Sequence, residues 1–491
     1  MFETAELGRK TSKEDYRKQE PFLRVGLLTA QYELRDADFP VILVLGGNDR
    51  LGCTEVSNLL HEWMDPRYLA ANVFERLTQE EAERPRFWRY WRTHPPRGQI
   101  GLYSREWTAR AIVDRVAGDI DEVGLARRVR NIQVFEKALS DDGALILKFW
   151  LHTPKHALKR RLKAAKRTPG RAGRVVKEDR RIVKRYGEMK AVAERVLGET
   201  SRGEALWNVV ESTDANSRDV TVAQTIIQAL TKRLAERPKS RKPPRSARAA
   251  AAAITVLDQV DLSRRLEKDD YERQLKRLWR RLADLSEKAH TRNMSSVLVF
   301  EGWDASGKGG AIRRLTHAMD AAHYRVIPIG APTDEELAHH YLWRFWRRLP
   351  GAGHAALFDR SWYGRVLVER VEGLATEDEW KRAYAEISDF EGQLAHRDVL
   401  VLKFWIHLSR DEQLRRFKVR EKVPFKKYKI AQDDYRNRSR WNDYEVAADE
   451  MIQRTSTDHA RWHIVAGNDK RWARIDVLKT VCRAMARALK K

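Results

Sequence analysis

The sequence predicts an α/β fold, made by tandem duplication of one doubly wound parallel sheet with helices on both faces. Three observations predict it. A shift of 255 residues lays the second half of the chain on the first, each half alternates short apolar runs with longer amphipathic stretches, and a glycine-rich loop in the second half joins a strand to a helix.

The repeat holds without gaps over most of each half. Glu14, Asp15 and Tyr16 answer Asp269, Asp270 and Tyr271, and the apolar run Val41 to Leu45 answers the stretch holding Val297 to Phe300. Trp88, Arg89 and Trp91 fall on Trp343, Arg344 and Trp346, and Arg105, Trp107 and Arg110 on Arg360, Trp362 and Arg365. Leu147, Lys148, Phe149 and Trp150 recur as Leu402, Lys403, Phe404 and Trp405, and Trp207 and Asp214 meet Trp462 and Asp469. Between the halves, Arg237 to Ala253 is rich in Pro, Arg and Ala and reads as a linker. The expected organisation is a first unit over 1–236, a linker over 237–256 and a second unit over 257–491.

In the second unit the expected strands are Val297 to Glu301, Tyr324 to Ile329, Ala355 to Phe358, Val399 to His407 and Trp462 to Val465. Gly309 to Ala321, Asp334 to Arg348 and Glu377 to Ala395 are long enough to be crossover helices between parallel strands.

Composition narrows the function. The 95 Lys and Arg against 70 Asp and Glu give a formal net charge of +25, which attracts polyanions. The two cysteines, Cys53 and Cys482, exclude a disulfide framework and fit a reducing compartment. Met1 to Tyr16 lacks the apolar stretch of a secretory signal, and no run reaches the length of a membrane span. A cytoplasmic protein with no membrane partner is expected.

The chemistry is written after the first strand of the second unit. Gly302, Trp303, Asp304, Ala305, Ser306, Gly307, Lys308, Gly309 and Gly310 meet the spacing GxxxxGK of a phosphate loop (P-loop, Walker A). Glycines let backbone amides curl around phosphate oxygens, the helix N-terminus adds positive charge, and Lys308 neutralises the transferred group. Gly309 stands where Ser or Thr usually holds magnesium, so the metal ligands expected are Asp304 in the loop and Asp359 at the end of the run Ala355 to Phe358. Arg360 beside it suits bidentate phosphate contact. Further on, Arg410, Arg415, Arg416, Lys418, Arg420, Lys422, Lys426, Lys427 and Lys429 form a basic run, read as a helical lid in which Arg416, Lys418 and Lys422 meet phosphate. The fold is thereby P-loop kinase-like.

GWDASGKGG, then FDRSWYGRVLVERVEG, then the basic segment leading to RWNDYEVAADEMI resemble the polyphosphate kinase 2 family, from Leu257 to the C-terminus. The two-unit form resembles its polyphosphate:AMP phosphotransferases, whereas single-unit members more often phosphorylate nucleoside diphosphates. The resemblance implies that Asp304 and Asp359 serve Mg2+ and acceptor activation, that Lys308 and Arg360 hold the transferred phosphoryl, and that Arg420 supplies lid charge. The substrates it implies are inorganic polyphosphate and a nucleotide, AMP becoming ADP. No specific nucleic acid is expected, and a homo-oligomer is compatible. A polyphosphate-dependent nucleoside diphosphate kinase and an ATP-dependent nucleoside monophosphate kinase are the alternative enzymes. A non-catalytic polyanion binder explains the charge but has no use for an intact loop.

The first unit keeps Gly47, Asp49 and Gly52, but Cys53 replaces the lysine, Thr54 and Glu55 replace the two glycines, and Ser104 replaces the second carboxylate. It is expected to transfer no phosphoryl group. A packing role is favoured for it over a polyanion-guiding role of its basic stretch Lys155 to Arg185.

Overall fold

A computed structural model describes residues 1–167, 176–203, 205–236, 255–422 and 432–490. The linker Arg237 to Ala253 and the lid lysines Lys426, Lys427 and Lys429 lie outside the described residues. The chain divides into two compact units: Met1–Leu77 with Thr93–Lys239 and Leu337–His340, and Thr78–Arg92 with Ser240–Glu336 and Tyr341–Lys491. The division follows the sequence repeat except for two short segments, Thr78–Arg92 and Leu337–His340, which belong to the opposite unit.

The first unit contains β1 (Val41–Gly47), β2 (Leu69–Val73), β3 (Ile100–Ser104), β4 (Leu145–His152) and β5 (Trp207–Glu211), ordered β2-β3-β1-β4-β5 in one sheet. The second contains β6 (Ser296–Gly302), β7 (Tyr324–Pro328), β8 (Ala355–Asp359), β9 (Leu400–His407) and β10 (Trp462–Ala466), ordered β7-β8-β6-β9-β10. All pairings are parallel, so both units are one topology used twice. The central strands read as continuous apolar runs because helices cover both faces. On one face Leu298, Phe300, Leu402 and Phe404 pack against Leu282 of helix Lys268–Thr291 and Leu478 of helix Lys470–Ala488. Leu43, Leu45, Leu147 and Phe149 do the same with Leu27 and Ile226 in the first unit.

The repeat extends to buried polar groups. Lys148 Nζ donates to Glu136 Oε2 and to the Thr200 carbonyl, both at 2.7 Å, and Lys403 Nζ donates to Glu391 Oε2 and the Thr455 carbonyl at the same distances. A lysine inside a buried strand is tolerated because its charge is paired and hydrogen-bonded there. Gly47 (φ +152°) and Gly302 (φ +132°) end the two central strands. A Cβ would lie 2.3 Å from the Leu151 carbonyl oxygen in one and 2.4 Å from that of Ile406 in the other, so both positions require glycine.

Two expected helices differ. The one starting at the phosphate loop, Lys308–Thr316, ends before Ala321, and Asp334 to Arg348 holds two short helices, Asp334–Leu337 and Trp343–Trp346. Tyr341, Leu342, Trp343, Phe345 and Trp346 are all buried. Burial at nearly consecutive positions exceeds the single stripe that a one-sided helix can cover, so the chain turns between them. Among the described residues no helix is long and apolar enough to cross a membrane, and Cys53 and Cys482 are buried and free.

Candidate active site

At the C-terminal edge of the second sheet, β6 delivers Gly302 into the loop and helix Lys308–Thr316 leaves it, with Gly307 (φ +115°) as N-cap. The first amides of a helix lack intrahelical acceptors and carry the positive end of its dipole, so they face an anion favourably. Lys308 Nζ donates to the carbonyls of Gly302 (2.7 Å) and Trp303 (3.1 Å), which folds the side chain back over the loop. Burial, and then the nearby Arg360, lower the Lys308 ammonium below its ordinary range, against the pull of Asp304 and Asp359.

Asp304, Lys308, Asp359 and Arg360 are brought together. Arg360 adopts a left-handed backbone (φ +65°), and its Nη2 donates to Asp304 Oδ1 at 2.8 Å. Asn437 Nδ2, from helix Gln432–Ser439, donates to Asp304 Oδ2 at 3.0 Å. Asp359 ends β8 half-buried, and no donor among the described residues engages its carboxylate. Its Oδ2 lies 3.9 Å from where a Cβ on Gly309 would be. Among the described residues no three His, Cys, Asp or Glu converge. A hard cation that keeps its waters and shares substrate phosphates needs only one or two carboxylates, and Asp359 and Asp304 fit that requirement. A cleft lined by Trp303, Asp304, Arg360, Leu367, Asn437 and Tyr444 adjoins them.

Arg416 is a correction. It is buried, and its guanidinium donates to the carbonyls of Ala305 (3.0 Å), Ser306 (2.8 Å), Gly467 (2.6 Å) and Asn468 (3.0 Å) and to Glu412 Oε1 (2.6 Å). With its N–H groups spent on the back of the loop, it braces the loop and does not meet phosphate. Lys418 and Lys422, at the end of helix Arg410–Glu421, are exposed, Arg420 is half-buried, and none has an ion-pair partner among the described residues.

The sequence reading missed Glu301, Asn437, Lys470 and Arg474. Glu301 is buried beneath the loop and accepts from Ser361 Oγ at 2.8 Å; burial raises its carboxyl, with Ser361, Lys308 and Arg360 pulling the other way. The signal was present in the repeat. Glu301 and Ser361 stand opposite Gly46 and Glu106, so the two units hold a buried carboxylate on different strand ends. Glu106 accepts from the Thr108 and Ala109 amides, and burial brings it up to about 7. Desolvation, then the neighbouring Arg416 and Arg474, bring Lys470 down to about 8. Trp303 stacks on Trp441 with ring centroids 3.6 Å apart, closing one wall of the loop.

In the first unit the same positions are turned inward. Asp49 is buried and accepts from the Gly52 amide (3.0 Å) and Ser212 Oγ (2.6 Å). Cys53 is buried and its thiol is pushed up to about 12 by desolvation. Glu55 accepts from Arg161 Nη2 (2.5 Å) and Arg218 Nη1 (2.9 Å). Burial pushes this carboxyl up, and the two arginines outweigh it, holding Glu55 below its usual range. Arg105 keeps a left-handed backbone (φ 54°) but pairs with Glu75 at 3.3 Å.

A parallel sheet of this order, with a lysine-bearing phosphate loop after its central strand, defines a phosphate-loop protein of the kinase-like α/β class. The model of the family Polyphosphate kinase 2 (PPK2) matches residues 10–238 and again 265–491. The polyphosphate:AMP phosphotransferase of Pseudomonas aeruginosa is 44% identical, with 100% of each chain covered. That of Pseudomonas syringae pv. tomato is 43% identical, with 99% of each covered. A crystal structure from Pseudomonas aeruginosa ascribed to polyphosphate kinase 2 superposes with a TM-score of 0.90 at 44% identity, covering 100% of both chains. The chain belongs to the polyphosphate kinase 2 family.

Proposed function

We propose that the second unit, 257–491, transfers the terminal phosphoryl group of inorganic polyphosphate to AMP, giving ADP. The observation that carries this reading is the complete loop from Gly302 to Gly310, with Lys308, Asp359 and Arg360 converging on it, in a chain similar over its whole length to polyphosphate:AMP phosphotransferases. Asp359 and Asp304 would hold Mg2+, which when bound neutralises charge on the terminal phosphates. Lys308 leaves the loop carbonyls to meet the transferred group, and Arg360 gives up Asp304 to grip its oxygens. Asp304, released, orients the attacking phosphate oxygen of the nucleotide. Arg420, Lys418 and Lys422 add charge from the lid. Such transfer depends on positioning and electrostatics more than on covalent chemistry. The two buried thiols fit a cytoplasmic setting.

The test is nucleotide turnover with long-chain polyphosphate and Mg2+, offering AMP, ADP, GMP and GDP separately to the wild type and to Lys308→Ala. AMP should become ADP in the wild type only. Reaction of diphosphates alone would make this a nucleoside diphosphate kinase, and reaction of AMP with ATP but not with polyphosphate would overturn the donor.

A further inference from the structure

The first unit has closed its phosphate loop yet carries the more basic of the two equivalent helices. Helix Lys155–Arg167 (KHALKRRLKAAKR, 13 residues) buries Ala157, Leu158, Leu162 and Ala165. Its other faces expose Lys155, Lys159, Arg160, Lys163, Lys166 and Arg167. The helix contains no acidic residue, and none of these cations has an ion-pair partner among the described residues. Lys155 with Lys159, Lys159 with Lys163, and Lys163 with Arg167 are like charges four residues apart, an arrangement that weakens a helix unless an anion relieves it. The equivalent helix of the second unit, Arg410–Glu421, has Asp411, Glu412 and Glu421, and Glu412 pairs with both Arg415 and Arg416 at 2.6 Å. The unit with chemistry has thus moderated its helix, and the unit without chemistry has not.

We propose that the exposed face of helix Lys155–Arg167 docks the body of a long polyphosphate chain. The proposal rests on the polyphosphate reading above. The cations run along a rod of about 20 Å, which suits a linear polymer of repeating charge. Apart from the single imidazole of His156, the helix has no Phe, Tyr or Trp on which successive bases would stack, which favours polyphosphate over single-stranded nucleic acid. Arg161, on the same helix, turns inward to Glu55, so the polymer meets the helix and not the closed loop. A chain held on the molecule presents its ends at raised effective concentration, which lowers KM for long polymers and leaves short ones unaffected.

The test compares Lys159→Gln/Lys163→Gln/Lys166→Gln with a control of equal charge change, Lys268→Gln/Lys276→Gln/Lys288→Gln, at exposed lysines of the second unit. For the docking variant, KM for long-chain polyphosphate should rise about tenfold, with kcat and KM for triphosphate unchanged and a shallower dependence of KM on salt. A long-chain KM within about twofold of the control overturns the proposal. Equilibrium binding of labelled long-chain polyphosphate to the same proteins separates the two readings. If the wild type does not turn polyphosphate over, the donor assignment fails, while retained polymer binding by the docking variant overturns the docking site alone. Loss of single-stranded RNA binding with polyphosphate binding intact would overturn it in favour of nucleic acid.

Discussion

The two units share a sheet order, a glycine at the end of the central strand and a buried lysine–glutamate pair, yet they treat charge around the loop in opposite ways. The second unit leaves Arg360 lining a cleft, with Lys308 folded over the loop and the Asp359 carboxylate without a donor among the described residues. The first answers Glu55 with Arg161 and Arg218 and folds Asp49 into hydrogen bonds with its own backbone and Ser212. The difference teaches that fold retention and site retention are separable. The apolar strands and the buried pair hold the sheet, and a handful of loop positions decide whether an external anion has a place.

The comparison breaks most sharply at the paired arginines. Arg360→Ala should lower kcat roughly 10³-fold, by analogy with arginines at phosphoryl-transfer sites, and Arg105→Ala should leave it unchanged. Equal losses from both would mean that the first unit takes part in the chemistry. Next, Lys403→Met should cost about 3–4 kcal/mol in denaturant unfolding by leaving Glu391 buried without its partner. Lys148→Met should cost a similar amount, and adding Glu391→Leu or Glu136→Leu should recover much of each loss; a small cost in either unit would dissociate the two cores.

The pH dependence of stability should carry the mark of Glu106 in the first unit. Glu106 is raised by burial from 4.5 to about 7. The folded state therefore binds more protons than the unfolded state between these values. Stability from this group is full below pH 4.5 and declines as pH rises through 7, by on the order of 3 kcal/mol. Thermal unfolding of Glu106→Gln from pH 4.5 to 8 should lack that decline; a parallel decline would place the proton elsewhere. The smallest effect is expected at Glu301→Gln. Weakening the support of Ser361, and with it the Asp359–Arg360 turn, should lower kcat about tenfold, the equivalent of one hydrogen bond. Glu301→Gly/Ser361→Glu, which installs the first unit's arrangement, should restore most of it if a buried carboxylate is all that the turn needs.

The duplication, strand positions and phosphate loop were legible because each rests on local periodicity or fixed spacing. Expected strands Val297 to Glu301 and Trp462 to Val465 agree with β6 and β10 to within a residue at each end. What was illegible depends on direction in space. Arg416 sits in a run of basic residues that all look alike in sequence, and only its packing against the Ala305 and Gly467 carbonyls shows it as a brace. Asn437 lies far along the chain from Asp304, and no spacing rule links them. The break within Asp334 to Arg348 follows from burial of aromatics on several sides, which single-stripe periodicity does not describe.

The Glu55–Arg161–Arg218 cluster has a historical consequence. A lysine restored at position 53 would enter a loop whose charge is already balanced, still lacking the carboxylate at Ser104, and would meet desolvation with no phosphate to repay it. Each single step back towards activity is penalised before any turnover rewards it. A first unit without phosphoryl transfer, as its loop leads one to expect, would be held there as by a ratchet that resists being turned back.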